Sequence, residues 1–365
     1  MAGKTKTTKH LGVLTSGGDC AGLNAVIRAI AKRAIEGYGW RVTGIRDGTH
    51  GLIERPIRVE RLDQAAIDST MLLRGGTILG TTNRGDPFAY PMEDGTTRDR
   101  SGHFIEGYRD LELDALIAIG GDGSLRILRR LATQGGLNLI GIPKTIDNDV
   151  PLTENAVGYA TALDVAVHAL DRLQPTGESH GRVMILEVMG RDAGHIALGT
   201  GIAGGADVIL MPEIPYRIER VAEKISEIRR AGRMSSLVVV SEAARSVGGA
   251  AVRQRQAGGS QTYGGVGHRI GEEISERTGA ETRVTVLGHV QRGGAPTPRD
   301  RLMATAFGVH AVDLAAAGRF DCMVAWQNRR VVDVPLADVV RGSYTVELDG
   351  ALVRTARGLG ICLGD

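Results

Sequence analysis

Several short strings in this sequence bring together residue types that could do chemistry. Lys144-Thr145-Ile146-Asp147-Asn148-Asp149 gathers two carboxylates, an amide and an ammonium, and Lys144 is one of only three lysines outside the N-terminal tail. A carboxylate there can take a hydroxyl proton while the lysine screens charge on a transferring phosphoryl group. The same pattern also fits an Asx turn. Gly120-Gly121-Asp122-Gly123-Ser124 is a turn with an acid inside it. Its backbone donors could hold a phosphate chain and Asp122 a Mg2+ ion, or Asp122 could simply cap the next helix. Gly17-Gly18-Asp19-Cys20-Ala21-Gly22 is a second glycine turn. It departs from the dinucleotide fingerprint because Asp19 takes the third place. Gly3-Lys4-Thr5 ends like a phosphate-binding loop, but no glycine precedes it at the right spacing. Arg182, Arg191, Arg283 and Arg292, with His289, lie near ends of apolar runs, where several guanidinium forks could meet one dianionic phosphate.

Those strings need a scaffold that delivers them, and one unit recurs to do so. A short apolar run leads into a Gly/Asp/Asn-rich turn and then a helical pattern. Residues 11–14 lead into TSGGDCAG, 113–119 into GGDGS, 139–142 into PKTIDND and 183–189 into GRDAG. Residues 237–240 lead into SEAAR and 284–287 into GHVQRGG. Strand, loop and helix repeated in this way predict a doubly wound α/β fold with a largely parallel sheet between helices. In such sheets ligands bind beyond the carboxyl ends of strands, where these turns would collect. Residues 84–108 and the glycine-rich residues 245–267 read as surface insertions, the second as a loop.

Composition narrows the class. The chain has 365 residues, 52 of them glycine and 42% apolar, so a large core is available and collagen is excluded. Forty-four basic residues against 42 acidic ones give +2, with no face-sized basic run, and no nucleic-acid partner is expected. Arginine heavily outnumbers lysine, which fits biased codon usage or a set of phosphate-binding forks. Cys20, Cys322 and Cys362 are too scattered for a disulfide framework or a zinc site. With no apolar leader and no long apolar span, a cytoplasmic protein without a membrane partner is expected.

Taken together, the strings GVLTSGGDCAGLNAVIR, GGDGS, PKTIDND, VMGRDAGHIAL and ETRVTVLGHVQRGG resemble the 6-phosphofructokinase family, in the same order and over nearly the whole chain. The resemblance implies phosphoryl transfer to the 1-hydroxyl of fructose 6-phosphate, with Asp147 as general base and Lys144, Gly123 and Arg191 beside it. It implies a donor cradle at Gly17, Arg84, Gly121, Asp122, Gly123 and Ser124, with Asp122 as the Mg2+ ligand. Thr145, Ile146, Met189, Gly190, Arg191, Glu242, His289 and Arg292 match sugar-phosphate contacts. Arg182 and Arg283 match residues that in this family reach into a neighbouring subunit's site, which implies a homodimer or homotetramer. The expected division is a donor lobe of residues 1–158 plus 291–341, a fructose 6-phosphate lobe of residues 159–290 plus 342–365, and an active site in the cleft.

The phosphoryl donor rests on two positions. ATP-using members typically read GGDGS with PGTIDND, and pyrophosphate users read GGDD with PKTIDND. This chain combines Gly123 with Lys144. A carboxylate side chain at position 123 would stand where a nucleotide phosphate must lie, so Gly123 favours ATP, with pyrophosphate as the alternative donor. Asn83 stands where short ATP-using members typically carry Arg, with Arg84 one place later. Arg28 and Lys32 match effector-site positions of bacterial relatives, and no regulation is assigned to them.

Overall fold

A computed structural model describes residues 8–83, 85–255 and 261–365. The chain begins with β1 (His10–Ser16), α1 (Leu23–Lys32), β2 (Arg41–Ile45), α2 (His50–Ile53), β3 (Val59–Arg61), β4 (Tyr90–Pro91) and β5 (Thr97–Arg98). It continues with α3 (Ser101–Asp110), β6 (Ala115–Gly120), α4 (Asp122–Gly135), β7 (Leu139–Thr145), β8 (Val157–Gly158), α5 (Tyr159–His180) and β9 (Val183–Val188). Next come α6 (His195–Ala203), β10 (Val208–Leu210), α7 (Ile218–Arg230), β11 (Ser236–Ser241), β12 (Arg253–Arg255) and β13 (Gln261–Tyr263). The last are α8 (Val266–Thr278), β14 (Thr282–Val286), α9 (Pro298–Ala316), β15 (Cys322–Gln327), β16 (Arg330–Pro335), α10 (Leu336–Val339) and α11 (Ala351–Gly358).

Contacts divide the chain into two compact units. The first holds the described residues of Met1–Thr145, with Val150–Gly158 and Arg292–Ser343. Its sheet runs β16-β15-β7-β6-β1-β2-β3, with β8 paired to the end of β7. The interior is parallel, and only the edge strands β3 and β16 are antiparallel. The apolar runs of β1 and β6 are buried along their whole length because helices cover both faces of a parallel sheet. Strand order reverses between β1 and β6. Ser16 pairs with Gly120 there and Gly120 with Pro143, so the turns after β1, β6 and β7 leave from neighbouring strand ends.

The second unit holds Ile146–Asp149, Tyr159–Gln291 and Tyr344–Asp365. Its sheet, β10-β11-β9-β14, is parallel throughout. Val183, Ile185, Val238 and Val240 alternate onto one face and meet Val221, Ile225, Ile270 and Ile274 of α7 and α8. The turns after β9, β11 and β14 again leave from adjacent carboxyl ends. Both units therefore have the doubly wound α/β character expected from the strand-turn-helix unit. Among the described residues no helix is long and apolar enough to cross a membrane.

Two expectations need correction. Residues 84–108 are not wholly an insertion: from Ser101 they form α3, which buries Phe104, Ile105 and Tyr108 in the first unit's core. Residues 245–267 are not a plain loop, since β12 and β13 pair as an antiparallel hairpin, Arg253 opposite Tyr263, and α8 starts at Val266. Residues 256–260 of that stretch lie outside the described residues.

Candidate active site

In the first unit, three turns gather around a glycine cradle. Gly17 has φ +88° and Gly22 φ +108°, values that L side chains rarely adopt, so the turn after β1 requires glycine at both places. A Cβ on Gly17 would stand 3.0 Å from Lys144 Nζ and 3.1 Å from Ser124 Oγ. Gly17, Lys144 and Ser124 thus converge from three different strand ends, which the sequence could not show. Gly17 N–H donates to Thr82 O (2.8 Å) and Thr81 Oγ1 to Gly17 O (2.7 Å), so residues 81–82 brace the same turn. Arg84, expected beside them, lies outside the described residues.

Lys144 is 4% exposed, and its ammonium donates to Gly18 O at 2.5 Å. The ammonium thus sits on the floor of the cradle rather than standing clear in solvent. Asp122 is the first residue of α4, following the extended Gly121, and its side chain is partly open, with Arg126 Nη2 at 3.8 Å. The helix N-terminus presents unpaired N–H groups and positive dipole to an anion. A Cβ on Gly121 would approach Lys144 O at 3.5 Å, whereas one on Gly123 would meet nothing within 4 Å. Gly123 is therefore not required by packing: among the described residues, nothing beyond its own helix backbone and chain neighbours stands at that position. Arg292 also belongs to this unit. Its Nη1 donates to Asp19 O (3.1 Å), and its guanidinium lies against Gly18. The structure thus stacks this expected sugar-phosphate arginine on the turn after β1.

In the second unit, Ile146 and Asp147 are buried, and Asn148 has φ +54°. Tyr344 N–H donates to Asp149 O at 2.7 Å, so the segment around Asp147 is tied to the C-terminal stretch. Thr145, the last residue of β7, pairs with Gly158 at the end of the first unit's sheet. The turn after β9 is held on several sides. Met189 N–H donates to Gln291 Oε1 (2.7 Å), Arg191 N–H to Glu242 Oε1 (3.1 Å) and Gly194 N–H to Glu213 Oε1 (2.9 Å). Gly190 has φ +150°, and a Cβ there would strike Ala193 O at 2.6 Å. Arg191 adopts φ +49°, a strained geometry that recurs at ligand-binding turns. Met189, Gly190, Arg191 and Glu242 are thus brought together. His289 is exposed in the turn after β14, and Gln291 beside it is 1% exposed.

Arg182 and Arg283 are placed elsewhere. Arg182 precedes β9 and Arg191 follows it, and Arg283 pairs with Met184 near the start of that strand. Six residues of strand at roughly 3.3 Å each separate the two ends by about 20 Å, beyond the reach of an arginine side chain. Both arginines instead share Glu281: Arg182 Nε lies 2.9 Å from Oε2, and Arg283 pairs with Oε1. Hydrogen bonding to Arg182 holds the Glu281 carboxyl below its usual range.

Several supports are not singled out by sequence reasoning. Glu187 sits in the apolar run of β9 and is 1% exposed, yet accepts N–H bonds from Gly265 (2.9 Å) and Gly267 (2.8 Å) at the start of α8. Its lone charge inside VMILEV is the available signal, since a carboxylate is buried only when it is partnered. Gln291, within the HVQRGG string, is overshadowed there by the neighbouring arginine. Glu213 binds both Gly194 N–H and Val346 N–H (2.9 Å), joining the turn after β9 to the C-terminal stretch, and nothing in its local sequence signals that.

Known proteins similar to this chain point to one family. A family model described as "Phosphofructokinase" matches residues 10–315. The "ATP-dependent 6-phosphofructokinase 1" of Synechocystis sp. is 61% identical over 98% of this chain and 99% of its own. The protein of the same name from Nostoc sp. is 57% identical, with the same coverage of both chains. Among solved structures, phosphofructokinase from Pichia pastoris in the T-state has a TM-score of 0.80 and 28% identity, covering 93% of this chain and 36% of that longer one. With the strings in order, the cradles built at the strand ends and relatives matched end to end, the chain belongs to the phosphofructokinase family.

Proposed function

We propose that this chain is an ATP-dependent 6-phosphofructokinase, transferring a phosphoryl group from ATP to the 1-hydroxyl of fructose 6-phosphate to give fructose 1,6-bisphosphate, the kinase step of glycolysis. The curated relatives that match it end to end carry that name. The observation that carries the donor is the space at Gly123, where among the described residues no atom outside its own helix backbone and chain neighbours lies within 4 Å of a Cβ position. An aspartate there would oppose a nucleotide's phosphates, and none is present. Lys144, the feature favouring pyrophosphate, has its ammonium on Gly18 O. With relatives of this identity named for ATP, the pyrophosphate reading is not favoured.

In this reading the first unit is the donor lobe. Gly121, Gly123 and Ser124 donate to the phosphate chain through backbone N–H groups, the Ser124 hydroxyl and the α4 terminus, and Gly17, whose own N–H is bonded to Thr82 O, leaves the chain room beside them. Lys144 beneath the cradle adds positive charge. Among the described residues no group of three or more His, Cys, Asp or Glu could cage a metal ion. A single partly open carboxylate nevertheless fits Mg2+, which takes one or two carboxylates and completes its shell with phosphate oxygens and water. Asp122 would hold the ion, whose chemistry there is neutralisation of the donor's phosphate charge.

The second unit is the fructose 6-phosphate lobe. Arg191 and His289 supply donors for the sugar phosphate, and Met189, Gly190 and Glu242 shape the sugar's place. Thr145 and Ile146 lead the chain into Asp147, which takes the proton of the 1-hydroxyl as the oxygen attacks. Positioning and charge stabilisation then provide most of the acceleration. Arg182, before β9, and Arg283, on β14, stand too far from the turn after β9 to serve it in their own chain, which supports an oligomer of at least two subunits in which they serve a neighbour. A cytoplasmic location accords with this chemistry.

The test is direct: purified protein with fructose 6-phosphate, Mg2+ and ATP should release ADP and fructose 1,6-bisphosphate in equal amounts. Phosphorus NMR should place the new ester on O1. ADP release without a sugar bisphosphate would retire the reading.

A further inference from the structure

The turn that presents Arg191 carries an acid at its tip, Asp192, exposed and next in sequence to the arginine that must bind a dianion. A free carboxylate there would compete with phosphate for the Arg191 guanidinium. The structure gives that carboxylate another partner. Tyr263 Oη donates to Asp192 Oδ1 at 2.7 Å.

Tyr263 comes from β13, and its own position is built rather than incidental. It stands opposite Arg253 of β12, whose guanidinium lies 5.1 Å from the ring centroid and whose Nη2 donates to the phenolic oxygen at 3.3 Å. A phenol that accepts from a guanidinium is a better donor to a carboxylate. The C-terminal end of β13 is rooted through Gly264, at φ +143°, and Gly265, at φ +84°, in the N–H bonds that Glu187 accepts at the start of α8. Glu187 lies on β9, the strand that ends in the Arg191 turn. Hairpin and turn thus share one rigid anchor. The hydrogen bond to Asp192, with some burial, pushes the Tyr263 phenol up from its ordinary value, so it remains protonated and donating at neutral pH.

We propose that Tyr263 is a positioning residue for sugar-phosphate binding, engaging Asp192 so that Arg191 is left to the substrate phosphate. This rests on the reading that Arg191 binds fructose 6-phosphate. It adds to that reading a residue outside every family string, on the hairpin that the sequence presents as a loop.

The experiment compares wild type, Tyr263→Phe, Asp192→Asn and the double variant in steady-state kinetics, varying fructose 6-phosphate and ATP separately. A hydrogen bond to a charged group, discounted for partial exposure, predicts that Tyr263→Phe raises the KM for fructose 6-phosphate roughly three- to tenfold. The KM for ATP and kcat should stay within about twofold. Asp192→Asn removes the competing charge and keeps an acceptor, so it should bind the sugar phosphate about as well as wild type. The double variant should return the KM to within about twofold of wild type. A purely structural role for Tyr263 would not be rescued by that second change. Protection of the fold by fructose 6-phosphate in thermal melts should follow the same order without turnover. An unchanged KM in Tyr263→Phe, a double variant no better than it, or parallel rises for both substrates would overturn the proposal. A wild type that neither turns over nor is protected by fructose 6-phosphate would overturn the parent reading instead.

Discussion

Replacing Gly123 by aspartate separates electrostatics from folding unusually well. Gly123 is the second residue of α4, its φ lies outside the left-handed region, and a Cβ there meets nothing within 4 Å. The Cβ of the new side chain would meet no described residue outside its own helix. A carboxylate in the first turn of a helix interacts favourably with the dipole by about 0.3–1 kcal/mol, so stability should hold or rise slightly. The cost falls on the donor. One negative charge about 4 Å from another costs about 1 kcal/mol in bulk water and about 4 kcal/mol at an effective dielectric of 20. At about 1.4 kcal/mol per factor of ten, kcat/KM for ATP should fall roughly 5- to 1,000-fold, with most of the expected loss in the upper part of that range if the cradle excludes water. Initial rates at varied ATP, beside a thermal melt of the same preparation, read both quantities. A Gly123→Asp variant that melts like wild type and keeps its kcat/KM for ATP would refute the account of Gly123.

Other consequences follow from the same geometry. Asp147→Asn, which keeps shape and removes the base, should lower kcat by about 10²–10⁴-fold with the KM for fructose 6-phosphate little changed, in steady-state assays. Mixing Asp147→Ala protein with Arg182→Ala/Arg283→Ala protein after subunit exchange should restore part of the activity, because a hybrid contact holds one intact site; no recovery would argue against shared sites. Gly22→Ala should destabilise the first unit by about 1 kcal/mol or more in denaturant unfolding, since it forces φ +108° on an L residue and brings a Cβ to 2.8 Å from Val157. Burial lowers the folded-state pKa of His10 and of His195. The unfolded chain therefore binds more protons below the ordinary histidine pKa of about 6.5, and this contribution to stability, full above that value, is lost as pH falls toward the depressed folded values. Urea midpoints compared at about pH 7.5 and 5.5 should drop accordingly, and less in a His195→Gln variant.

What the sequence disclosed follows from how local each signal was. β1, β6, β9 and β11 were readable because a strand buried on both faces is one apolar run ending in a glycine turn. β15 was not, because CMVAWQ stands among charges and its partner β7 lies far away in sequence. α3 reads as part of an insertion because Pro87, Pro91 and an Asp/Gly/Thr cluster precede it, although Phe104, Ile105 and Tyr108 already have helical spacing. The hairpin β12–β13 lacks any apolar alternation, so only its pairing reveals it.

At the site, the residue types were legible and their meetings were not. Nothing local predicts that Lys144 and Ser124 close on Gly17, or that Arg292 lies on Gly18. Conversely, the place of Arg182 before β9 and of Arg191 after it was already written in the chain. Only the length of the strand between them shows that the two side chains stand apart.

The cradle formed by the turns after β1, β6 and β7 is expected to take a nucleotide. This is tested most directly by kcat/KM for ATP and for pyrophosphate, measured on the wild-type protein at saturating fructose 6-phosphate and Mg2+. The kcat/KM for ATP should exceed that for pyrophosphate by orders of magnitude. Turnover with pyrophosphate and none with ATP would contradict it.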